Sequence, residues 1–166
     1  QKAVRQGNLG AVTCLGVLYA EGKGVPQSTE RAVELWRRGA SGGQKDAQFA
    51  LAVCHEVGRG VAKDYLEARR LYALASAQGF APAPEALNRL EERIRTECPL
   101  LGKRVVITGT SREDLNGRTG IATSFDHARD RYVVGLDDDG AGEKEQGKLK
   151  LKPGNLARVG GKGKQK

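Results

Sequence analysis

No stretch of this 166-residue chain approaches the roughly 20 consecutive apolar residues that a membrane helix needs, so no membrane insertion is expected. Cysteine is sparse. Cys14, Cys54 and Cys98 are odd in number and widely spaced, and none forms a C-x-x-C pair. That excludes a disulfide framework and a zinc ribbon, and it suits a reducing intracellular compartment. Gly-Lys pairs begin at 22, 102, 147, 161 and 163, yet none is followed by Ser or Thr, so there is no phosphate-binding loop. The acidic run Asp137-Asp138-Asp139-Gly140 invites a calcium loop, but aligning Gly140 with the loop glycine puts Gly135 and Gln146 where carboxylates are required. It reads instead as a solvated hairpin turn. Cys54 and His55 are neighbours on one helix and point apart, so they make no nucleophile–base pair. With Cys14 they also lack metal-ligand spacing. No catalytic, cofactor or metal site is expected, and the chain reads as a non-enzyme.

Charge is present in both signs with an excess of eight positive. Residues 1–98 hold 14 Lys/Arg against 11 Asp/Glu, and residues 99–166 hold 14 against 9. The final stretch, 160–166, reads as a disordered basic tail. Spread this evenly, the charge is a weak argument for nucleic acid.

What the chain does have is a repeat. Ala11-Val-Thr-Cys-Leu-Gly-Val-Leu-Tyr19-Ala-Glu-Gly22-Lys-Gly24-Val25 returns as Ala47-Gln-Phe-Ala-Leu-Ala-Val-Cys-His55-Glu-Val-Gly58-Arg-Gly60-Val61. The register continues through Ala32/Ala68, Leu35/Leu71, Trp36/Tyr72 and Gly43/Gly79. A fixed period of this length marks a stacked solenoid. Each unit reads as two helices, the first running from Asn8 to Glu21 and again from Lys45 to Val57. Ala11, Cys14, Leu15 and Leu18 follow the spacing of one buried helical face. Gly22 and Gly58 end these helices, because glycine takes the left-handed cap conformation without steric cost. Ser28 and Asp64 are polar caps for the second helices, with Glu67 completing a capping box at Asp64. A last helix, Ala83 to Thr96, is charged enough to cap the stack.

At these positions the chain resembles the Sel-one-like repeat (SLR) family, a relative of the tetratricopeptide repeat. The first copy carries the pattern at Ala11, Leu15, Gly16, Tyr19, Gly22, Gly24, Val25, Ala32, Trp36 and Gly43; the second departs from it at Ala52 and His55. The resemblance covers residues 1–97 and implies two full repeats, a half unit before them and a cap helix after them. It also implies a scaffold or adaptor role.

Beyond Pro99 the periodicity changes to short β-branched runs: Arg104–Thr108, Thr119–Phe125, Arg131–Leu136 and Lys148–Lys152, separated by turn residues. Leu101-Gly-Lys-Arg-Val-Val-Ile followed by Leu115-Asn-Gly-Arg-Thr-Gly-Ile resembles the KOW-type SH3-like barrel over residues 100–159, with its glycine at Gly120. The expected fold class is therefore α+β multidomain: an all-α solenoid at 1–97, a small all-β barrel at 100–159 and the tail.

The leading functional expectation is a non-catalytic protein–protein scaffold or adaptor, a subunit or fragment of a larger assembly. Helical geometry puts Thr13, Gln48, Val53 and Glu56 along the solenoid groove. The resemblance to KOW barrels puts Arg112, Asn116, Arg118 and Arg131 at a binding surface. RNA binding through the barrel and tail is the alternative, although Phe125 and Tyr132 are its only aromatics and both lie in strands. A regulatory part of a larger enzyme is a third reading. An intracellular, cytoplasmic location is expected, with nucleus or organelle left open because the sequence starts inside a repeat.

Overall fold

The computed structural model describes residues 2–137 and 148–159, with side chains from residue 9 onward. The basic tail and residues 138–140 of the acidic turn lie outside the described residues. Two units are resolved, Gln1–Arg93 and Ile94–Lys166. Five helices come first: α1 Lys2–Glu21, α2 Thr29–Ser41, α3 Lys45–Val57, α4 Tyr65–Ala77 and α5 Ala83–Glu97. Residues 45–57 are helical as the repeat predicts, but α1 begins at Lys2 rather than near Asn8. Gly7 and Gly10 are poor helix formers and mask the earlier start.

The repeat is visible in the backbone itself. Ser28 N–H donates to Tyr19 O at 2.9 Å, and one period later Asp64 N–H donates to His55 O at 2.9 Å. Lys23 N–H to Leu18 O becomes Arg59 N–H to Cys54 O, and Gln44 N–H to Gly39 O becomes Phe80 N–H to Ala75 O. Gly22, Gly24 and Gly43 have φ of 70, 72 and 84°, matched by 77, 70 and 71° at Gly58, Gly60 and Gly79. The same glycines make the same turn twice.

These shared bonds also revise the expected capping box. Asp64 does cap α4, its side chain accepting from Leu66 N–H and Glu67 N–H at 3.0 Å. Its own N–H is already taken by His55 O, so Glu67 turns away and pairs with Arg70 at 2.7 Å.

The expected buried face of α1 is not buried: Ala11, Cys14, Leu15 and Leu18 are exposed, and Thr13 and Gly16 are the buried positions among its described side chains. Packing between first and second helices differs between the copies. Trp36 lies against Gly16 and donates its indole N–H to Thr13 O at 3.3 Å. A Cβ on Gly16 would stand 2.6 Å from Trp36 Nε1. In the second copy Ala52 and Tyr72 hold these two positions, so the methyl appears where the smaller ring does. Ala32, Ala47, Ala52, Ala68 and Ala75 are all fully buried, as close helix crossings require.

After α5 come five strands: β1 Arg104–Ile107, β2 Thr119–Asp126, β3 Arg131–Leu136, β4 Lys148–Leu151 and β5 Leu156–Arg158. They form one antiparallel sheet in the order β4-β3-β2-β1-β5. A register shift between Ala122 and Ser124 bends β2. Gly120 lies just before this shift, where any Cβ would fall on Gly135 O. The expected barrel is not closed: among the described residues, β4 and β5 are edges with no ladder between them. Pro153, which has no N–H to donate, starts a 3-10 turn at Pro153–Asn155, and β5 then joins β1 at the far edge.

Candidate functional site

The surface of the helical unit carries apolar side chains in repeat register. Val17 on α1 is 41% exposed, and Val53, one period on, is 38% exposed. Val57, a turn further along α3, is 57% exposed. Between α1, α2 and α3 lies an apolar pocket of about 270 Å³ whose walls include Ala20, Trp36, Phe49, Val53, Val57 and Arg59. Its floor is firm, because Phe49 packs against Tyr72 at 5.2 Å and Phe80 at 5.0 Å between ring centres. Cys54 also borders it. Burial pushes that thiol above its ordinary range, only partly offset by Arg59, so it is a poor nucleophile. An apolar hollow with a rigid aromatic floor is suited to receiving a side chain of another polypeptide.

Of the groove residues expected from helical geometry, Val53 alone is an exposed wall of this pocket. Thr13 is buried, its hydroxyl donating to Leu9 O at 3.0 Å. Gln48 is buried too, donating to Ala40 O at 3.5 Å and accepting from Gln78 at 2.7 Å. Both turn toward a neighbouring helix, a distinction that helix phase alone does not make. Glu56 is engaged differently. It accepts from the Tyr72 hydroxyl at 2.8 Å and from Arg93 at 2.9 Å, and Arg93 also donates to the Tyr65 hydroxyl at 2.9 Å. This carboxylate ties α3, α4 and α5 together. Burial, reinforced by the bond to Glu56, holds the Tyr72 hydroxyl proton well above the usual phenol range. Val57 and Phe49 were not singled out from sequence. The signal available was Val57 standing where the first copy has Glu21.

In the second unit, Asn116 closes the loop after β1 on itself. Its side chain accepts from Thr110 N–H at 3.0 Å and donates to Thr110 O at 3.0 Å. Arg112 pairs with Asp114 at 2.6 Å and holds that carboxyl below its ordinary range. Arg118 and Arg131 are half-buried. Tyr132 is buried and its hydroxyl accepts from Leu100 N–H at 3.1 Å, so it offers no face for a stacked base. Phe125 packs against Tyr132 at 4.7 Å and His127 at 5.0 Å.

No helix among the described residues is long and apolar enough to cross a membrane. No group of three or more His, Cys, Asp or Glu side chains among them could hold a metal ion.

Comparison with known proteins bears on the helical unit. Residues 11–44 and 45–80 each match the Sel1 repeat. DAP3-binding cell death enhancer 1 of Rattus norvegicus is 32% identical over 90 residues, which is 54% of this chain and 17% of that protein. Its Mus musculus counterpart is 33% identical over the same shares. The chain thus spans 17% of the length of these curated relatives. Among solved structures, a Sel1 repeat protein from Oxalobacter formigenes is 34% identical with a TM-score of 0.49, covering 50% of this chain and 34% of its own. A protective antigen from uropathogenic Escherichia coli with an SLR fold is 38% identical with a TM-score of 0.43, over 46% and 16%. Residues 11–80 thus match two Sel1 repeats, followed along the chain by α5 and the antiparallel sheet.

Proposed function

We propose that this chain is a non-catalytic protein-interaction scaffold or adaptor working within a larger assembly. The observation that carries the reading is the apolar pocket walled by Val53 and Val57 over Phe49 and Trp36, set in a solenoid whose repeats match Sel1. Sel1 repeats generally mediate protein–protein contacts, and the relatives matched over 90 residues carry a name that states protein binding. The partner anchors an apolar side chain in the pocket, and the polar rim around it sets register. Residues 1–97 form the binding solenoid and 100–159 an SH3-like module. Support for the second part is the strand order β4-β3-β2-β1-β5 and the 3-10 turn just before β5. Arg112, Asn116 and Arg118 of the loop after β1, with Arg131 at the start of β3, form a secondary contact surface.

The test is affinity capture from extract with the whole chain and with V53D, at low and high salt and with nuclease. A discrete protein set that survives nuclease and high salt, and is lost with V53D, is expected. Recovery of RNA or DNA that disappears with nuclease or salt would refute the reading in favour of nucleic-acid binding.

A further inference from the structure

A second hollow lies on the opposite flank of α3, and it repeats. In the first copy a hollow of about 280 Å³ is lined by Leu15, Tyr19, Arg31, Glu34, Leu35 and Arg38. All six positions recur one period later as Leu51, His55, Glu67, Arg70, Leu71 and Leu74, which line a cleft of about 610 Å³. Arg37, Ala40 and Ser41 of α2 add a third wall to this second cleft.

Four of the six positions differ between the copies, Arg38 giving way to Leu74 among them. Tyr19 fills the first hollow, and Arg31 reaches its hydroxyl at 3.5 Å with the guanidinium 5.4 Å from the ring centre. His55 replaces it in the second, a smaller ring that leaves space. The charges are inverted, Arg31/Glu34 becoming Glu67/Arg70. Arg70 grips Glu67 through two hydrogen bonds of 2.8 and 2.7 Å, so this pair is internally neutral. Arg37, by contrast, has no ion pair among the described residues. His55 Nδ1 is buried with no hydrogen-bond partner among them. The wall therefore carries a cation without an ion pair, a hydroxyl at Ser41 and an imidazole whose Nδ1 has no hydrogen-bond partner among the described residues.

We infer that this cleft seats a carboxylate from an acidic segment of the protein partner, with Arg37 as its principal cation, Ser41 as donor and His55 shaping the floor. The inference rests on the protein-interaction reading and adds the chemistry of a second contact, apart from the apolar pocket. The guanidinium of Arg37, exposed at the cleft's edge, can bind a carboxylate through two parallel bonds. Leu51 and Leu71, both buried, form the apolar part of the cleft wall.

The experiment titrates the whole chain into fluorescein-labelled octaglutamate at low salt, read by fluorescence anisotropy. Saturable binding is expected, weakened about tenfold or more by R37A, as for loss of a charge-assisted bond. H55Y, which installs the first copy's residue and fills the cleft, should weaken it comparably while the far-UV circular dichroism stays unchanged. R69A removes the same charge from the exposed face of α4 outside the cleft and should leave binding intact. Absence of saturable binding, or equal weakening by R37A and R69A, would overturn the inference. So would inorganic phosphate displacing the peptide as effectively as unlabelled octaglutamate. The proposed function fails separately: protein capture sensitive to V53D without octaglutamate binding sinks only the cleft, whereas loss of that capture sinks both.

Discussion

Gly16 and Trp36 should be energetically coupled, and the second repeat supplies the control. A methyl placed on Gly16 would lie 2.6 Å from Trp36 Nε1 and 2.8 Å from Cδ1. The indole cannot step aside, because it is buried and held by Thr13 O. Overpacking of this kind costs about 1–3 kcal/mol. Replacing glycine by alanine inside a helix returns about 1 kcal/mol. G16A alone should therefore destabilise the helical unit by about 1 kcal/mol. W36Y alone loses the indole hydrogen bond and leaves a void, together about 2 kcal/mol. If the two acted independently, the double variant would lose about 3 kcal/mol. The double variant instead rebuilds the Ala52/Tyr72 pair of the second copy, where the methyl has room. It should be no less stable than W36Y alone, a coupling of about 1 kcal/mol. Urea unfolding of all four proteins by far-UV circular dichroism reads this directly. Additivity within about 0.5 kcal/mol, or a G16A variant more stable than the parent, would refute the packing argument.

Three further outcomes follow from geometry already described. D64A should lower stability by about 1 kcal/mol through loss of the α4 cap, while E67A should cost only about 0.3 kcal/mol because its partner is the exposed Arg70; equal costs would restore the reciprocal capping box. Stability should fall at alkaline pH. Burial raises the Cys54 thiol, and burial with the Glu56 bond raises the Tyr72 phenol. The unfolded chain therefore releases these protons first, near pH ~8.5 and ~10, and stability falls with rising pH from there until the folded state loses the same proton, by at most about 1.4 kcal/mol per pH unit per group. Y72F should remove the component that begins near pH ~10, and an unchanged alkaline slope in that variant would contradict the assignment. G120A should unfold the sheet while leaving the helices intact, because its Cβ meets the Gly135 carbonyl, a backbone atom with nowhere to go. Near-normal dispersion of the β-strand amide resonances in G120A would count against it.

The solenoid was legible because period, glycine turns and caps all act locally: Gly22/Gly58, Ser28 and Asp64 do in the fold what their neighbours in sequence predict. The strands were legible for the same reason, since Arg131–Leu136 is a short run rich in β-formers between turn residues and Lys148–Lys152 alternates with period two. Side-chain destinations were harder. Thr13, Gln48 and Glu56 share a helical face with groove positions, yet Thr13 bonds back to Leu9 of its own helix, and the neighbouring helices supply Gln78 to Gln48 and Arg93 to Glu56. Barrel closure depends on where β4 and β5 end up, a long-range outcome that four- and three-residue strands do not encode. Traces of the polar cleft were present as Tyr19 against His55 and Arg31/Glu34 against Glu67/Arg70, differences that a search for similarity discards.

That exchange of charge between copies has a consequence for anything that lies along the helices. A surface repeating perfectly every 36 residues would let a ligand dock in either of two frames and slide between them. With Arg31 and Glu34 facing one frame and Glu67 and Arg70 the other, a one-repeat slip sets like charges against each other. The solenoid is built by repetition, but it is addressed like a ruler with a marked zero.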